Sequence, residues 1–142
     1  MSTSATPTKV GGLRLPEDAR IAALVGFTLG AIGVVLANTD VRAGQNGGVG
    51  PMIIGIVLSA AAALAIGILV FSRARHFERP AIVLAVLALL TVVAFWSGLP
   101  FVLGAHAVTL ARRGSGRLAV SAQLLGALAV VAAVVASVVD RF

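Results

Sequence analysis

The sequence predicts an all-α, multi-pass transmembrane bundle with four full spans and one short helix that forms a hairpin after the third span. Three observations predict it. Of 142 residues, 59% are apolar and 11% charged, and the mean hydropathy is +1.07, outside the range of a soluble domain. The apolar residues come in runs of about twenty, the length that crosses one hydrocarbon layer at 1.5 Å per residue. The basic residues fall between those runs, where Lys and Arg set membrane orientation.

Residues 1–19 are rich in Ser, Thr, Pro and Gly without periodicity and carry Lys9 and Arg14, which predicts a disordered cytoplasmic tail. The remainder, 20–142, reads as a single transmembrane domain. Pro16 followed by Glu17 and Asp18 has the character of a helix start, with acids at the positive end of the dipole. The first span is expected over 20–37. Cleavage after Ala37 as a signal peptide is the rival reading, but the apolar run 21–37 is longer than a usual signal core and further spans follow. The Gly- and Asn-rich stretch 38–50 predicts a loop, and Pro51 opens a second helix over 51–71. The basic segment from Ser72 to Arg79 leads to Pro80 and a third helix over 81–96.

From Ala81 to Ala111 the chain stays apolar, broken only by Ser97-Gly98-Leu99-Pro100. This stretch is long for one crossing and short for two. Charge decides. One crossing divides the eleven basic residues seven against four; two crossings place nine on one side and leave Arg42 and Arg141 on the other, in better accord with the positive-inside rule. The expectation is a tight turn at 97–100 with Trp96 at the outer interface, a short return helix over 100–113, and a last span over 118–139. That short helix must thin the bilayer locally or hide behind its neighbours.

Close approach through small residues drives helix association in lipid. The second helix carries Gly55, Ser59, Ala63 and Gly67 at four-residue spacing. The first carries Ala22, Gly26 and Gly30 with Gly33 and Ala37, and the last Ala122, Gly126, Ala129, Ala133 and Ser137. Each row is fit either for packing within the bundle or, if one is surplus, for a homo-oligomer or a larger membrane complex.

Polar residues at membrane depth are functional candidates by default. His106 is the one titratable residue within an apolar run, and Gln123 with Ser121 is the polar pair of the last helix, read as interhelical hydrogen-bond donors. A permeation unit, oligomeric on this reading, requires His106 and Gln123 to face a shared polar path. Metal ligation is not expected, because the chain has no Cys and its other histidine, His76, lies in a loop. No nucleophile with a positioned base can be assembled, so neither an enzyme nor a cofactor is expected. Arg112, Arg113 and Arg117 surround glycines in RRGSGR, a loop suited to a lipid headgroup. Nucleic acid is not expected, because no aromatic residues interleave with the basic ones.

At VLGAHAVTLARRGSGRLAVSAQLLG, residues 102–126, the chain resembles a widespread bacterial family of small membrane domains of unknown function. That family's pattern is an apolar segment ending G-H-x-A-L, a basic Gly-rich turn, G-R-x-L-A and an L-G pair. Gly104, Ala107, Arg112, Arg113, Gly116, Arg117, Leu118, Ala119, Leu125 and Gly126 fit it, whereas Ala105 stands where the family has its histidine. The resemblance implies a unit of short helix, basic turn and long helix, and no activity. With a composition typical of high-GC bacterial genomes, the expectation is an inner-membrane protein with a cytoplasmic N-terminus. Its expected role is a non-enzymatic structural or accessory one acting through helix packing; the alternative is an oligomeric unit for permeation of ions or small solutes.

Overall fold

The computed structural model describes residues 16–39, 48–71, 73 and 75–139. Five α-helices make up the described chain: α1 (Glu17–Thr39), α2 (Val49–Ile66), α3 (Glu78–Leu90), α4 (Leu99–Arg113) and α5 (Gly116–Val139). A π-turn, Gly67–Phe71, extends α2, and a 3-10 segment, Thr91–Ser97, extends α3. With these extensions α1, α2, α3 and α5 are each long and apolar enough to cross a membrane. The expected tail (1–19) and first loop (38–50) are corrected at their edges, because α1 already begins at Glu17 and runs through Thr39, and α2 begins at Val49. The rest of both segments and the chain's last three residues lie outside the described residues.

Proline and glycine set the boundaries. Pro16 precedes α1 and accepts the Arg20 N–H on its carbonyl; Pro51 and Pro80 occupy first turns, where a missing N–H has no cost. Thr91 bends α3: its hydroxyl donates to the carbonyls of both Leu87 and Ala88, back-bonding that tightens and deflects a helix. Ala94 then leaves helical geometry at φ −106°, ψ 42°. Gly98, at φ 73°, reverses the chain into α4.

The short helix α4 lies at the centre. It packs against α1, α2, α3 and α5 and buries Pro100, Phe101, Val102, Gly104, His106, Ala107, Leu110 and Ala111. Fifteen residues rise only about 22 Å, so burial behind longer neighbours spares this helix a full lipid-exposed crossing. Backbones approach closely around it. A Cβ on Gly104 would stand 2.8 Å from the Gly126 carbonyl oxygen of α5, and one on Gly26 would stand 3.1 Å from Val102 Cα.

The turn between α3 and α4 docks against the middle of α1 and α2, not at their ends. Ser59 Oγ donates to the Ser97 carbonyl at 3.0 Å. A Cβ on Gly30 would lie 3.1 Å from the Gly98 oxygen, and one on Gly55 would lie 3.0 Å from the Trp96 oxygen. From this level α1 continues through nine more residues and α2 has already run ten, about 13 to 15 Å of helix on each. The expected hairpin is therefore present, but its tip lies inside the bundle and not at the level of the helix ends.

All three small-residue rows face inward. Ala22, Gly26, Gly30 and Gly33 of α1, Gly55, Ser59, Ala63 and Gly67 of α2, and Ala122, Gly126, Ala129, Ala133 and Ser137 of α5 are buried in the single chain. No row is surplus. The outer surface is instead aliphatic, with Leu24, Leu64, Leu90, Leu124 and Val139 more than half exposed, a surface matched to lipid chains.

Gly98→Ala should destabilise the bundle by about 2–4 kcal/mol, since it combines left-handed strain with a clash against Ser59 Oγ and Val34. Ser59→Ala should cost about 1 kcal/mol. Gly116→Ala has the strain (φ 82°) but open space, so about 1–2 kcal/mol is expected. Denaturant titration in detergent micelles checks the order; equal losses at Gly98 and Gly116 would contradict the close-packed turn.

Candidate functional site

The starts of α1, α3 and α5 meet the ends of α2 and α4 at one end of the bundle. Arg113 holds them together. Its Nε donates to Asp18 Oδ2 at 2.7 Å, with the side chains 26% and 49% exposed. The guanidinium lies 5.5 Å from the ring centroids of both Phe71 and Phe77. One residue thus joins α4 to α1, to the π-turn and to the approach to α3. A half-exposed ion pair contributes about 0–1 kcal/mol, and each cation–π contact about 0.5–1 kcal/mol.

The glycine loop after α4 also holds an anion, but it is the chain's own. Ser115 N–H donates to Glu78 Oε1 at 3.1 Å, and a Cβ on Gly114 would strike the Glu78 side chain.

These contacts redistribute the expected headgroup site. Of Arg112, Arg113 and Arg117, the middle one faces inward to Asp18, while Arg112 and Arg117 are exposed. The three do not form one cradle. The Ser115 N–H of the same loop binds Glu78.

His106 is fully buried. Its Nδ1–H donates to the Val102 carbonyl at 2.7 Å, which in a neutral ring leaves Nε2 as the acceptor. Nε2 has no hydrogen-bond partner among the described residues. Phe71 of the π-turn stands edge-on to the imidazole at a centroid distance of 5.9 Å. Gln123 is half-buried on α5 and Ser121 is exposed. Among the described residues no hydrogen bond joins either to another helix, and none joins Gln123 to His106. The reading of Ser121 and Gln123 as interhelical donors is corrected: α5 turns its alanine and glycine row inward and leaves Gln123 at the margin of that face.

Most polar side chains within the helices bond to their own backbone four residues back, as do Asn38, Thr39, Thr109 and Ser137. Ser59 instead bonds across helices, to the Ser97 carbonyl. Sequence reading placed Ser59 in a packing row but missed its acceptor, because a carbonyl left free by a 3-10 break has no sequence signature. It also missed the pairing of Asp18 with Arg113, 95 positions apart. The family resemblance offered no guide to either contact.

No family model, curated protein or solved structure matches the chain.

Arg113→Gln should lower stability by about 1–2 kcal/mol, and Asp18→Asn by under about 1 kcal/mol. Arg112→Gln, on an exposed side chain, should stay within about 0.5 kcal/mol. Thermal unfolding of the three variants in one detergent checks this; equal effects at positions 112 and 113 would remove the special role of Arg113.

Proposed function

We propose that this chain is a non-enzymatic structural or accessory component of a bacterial inner membrane, with its N-terminus and basic loops in the cytoplasm. The observation that carries the reading is the filled axis of the bundle. Phe101, Val102 and Leu110 of α4 are buried at the centre of the bundle, and among the described residues no hydrogen bond joins His106 to Gln123. The orientation rests on charge: Arg20, Arg73, Arg75, Arg79, Arg112, Arg113 and Arg117, all the basic residues among the described ones, gather at the end where α1 begins, the arrangement of a cytoplasmic face.

Because the small-residue rows are occupied within the chain, docking on a larger complex falls to the aliphatic flanks or to the basic end. The second reading, permeation in an oligomer, draws on one observation: His106 Nε2 is a buried polar atom without a partner among the described residues, which is costly unless a water or solute meets it.

Purification from native membranes in mild detergent, followed by mass spectrometry, is expected to recover the chain with a stoichiometric larger partner. Proteoliposomes of the chain alone should leak protons no faster than empty vesicles. Recovery of the chain alone, together with a flux abolished by His106→Ala, would overturn the accessory reading in favour of permeation.

A further inference from the structure

We propose that the cleft between the end of α2 and the start of α3 binds an anionic phospholipid. The cleft, about 450 Å³, has an apolar floor of Leu69 and Val70 from the π-turn and Pro80 from the first turn of α3, and a rim of Arg73, Arg75 and Arg79 with His76. All three arginines are exposed. Among the described residues the single ion pair is Arg113 with Asp18, so no carboxylate neutralises them. Glu78 lines the adjoining cleft with His76, Arg79, Ser115 and Arg117, and its carboxylate is tied to the Ser115 N–H. Arg73 and Arg75 thus stand as exposed positive charge beside an apolar surface, while Arg79 and His76 are shared with the cleft that Glu78 lines.

That combination specifies the ligand. A guanidinium presents a planar fork to phosphate oxygens, and three within one cleft favour a headgroup with net negative charge over a zwitterionic one. The floor lies where apolar helix gives way to charged loop, the boundary at which a lipid's acyl chains meet its headgroup. A free phosphate would use the rim and leave the floor bare; a phospholipid uses both. This assignment differs from the expected site at RRGSGR, where Arg113 and the loop N–H are already engaged by the chain itself. It rests on the chain's being embedded in a membrane and not on the accessory role, so the two can fail separately.

Native mass spectrometry of the full chain in non-ionic detergent, titrated with phosphatidylglycerol, phosphatidylcholine and inorganic phosphate, tests it. Phosphatidylglycerol should be retained about tenfold or more better than phosphatidylcholine. The triple variant Arg73→Gln, Arg75→Gln, Arg79→Gln should weaken that retention on the order of a hundredfold. The pair Arg112→Gln, Arg117→Gln should keep it within about threefold. An unchanged thermal midpoint of the triple variant in phosphatidylcholine is the control for folding. Equal retention of both lipids, undiminished binding by the triple variant, the same loss in the control pair, or displacement by inorganic phosphate would each overturn the proposal.

Discussion

A chain reversal placed partway along a membrane bundle must satisfy its backbone without water, and in this protein that demand is met by two hydroxyls and three glycines. The 3-10 ending of α3 frees carbonyls that an α-helix would have paired, and irregular backbone at membrane depth is tolerated only inside protein or along a wet cavity. Ser59 Oγ takes up the Ser97 carbonyl, Ser97 Oγ donates to the Ala94 carbonyl, and Gly30 and Gly55 let α1 and α2 close around the turn. The central position of α4 follows, because a helix starting from a buried turn descends through the middle of the bundle. The burial of His106 follows in turn.

The two ends of α4 are held by different physics. At the turn, contact is between backbones, with glycine as the enabling residue and dispersion as the attraction. At the basic end, long side chains span wider gaps: Arg113 reaches Asp18 and two phenyl rings, and Glu78 reaches back to the loop before α5. Charges cluster where water is available, and the two acids in contact with this network each hold a separate part of it. The other arginines among the described residues form no ion pair there and lie exposed at the surface, open to whatever anion the membrane presents.

Much of the architecture was legible in the sequence because it depends on local chemistry. Run length and the positions of Pro51, Pro80 and Pro100 specify the helices, and the arrangement of basic residues selects the hairpin over a single long crossing. The four-residue rows of small residues identify the buried faces of α1, α2 and α5. What packs against each row is not legible, because Gly55 and Ser59 look alike whether their neighbour is a helix of the same chain or of another. Depth is equally hidden. Ser97 to Pro100 reads as a turn, yet nothing local says that it stops at the middle of α2. At the candidate site, individual residues were identifiable but their grouping was not, since Asp18 with Arg113 and Glu78 with Ser115 are pairings of distant segments.

The central claim is that the α3–α4 turn is enclosed by α1 and α2, and the natural absence of cysteine makes it directly testable. Ser97→Cys and Ser115→Cys variants, each in the full chain in sealed vesicles, would be exposed to a membrane-impermeant maleimide from either side. Ser97 is 3% exposed, whereas Ser115 lies open at the basic end. The account predicts labelling of position 115 from the cytoplasmic face only and protection of position 97 from both faces until the protein is denatured. Ready labelling of position 97 from the opposite face in the folded protein would contradict it.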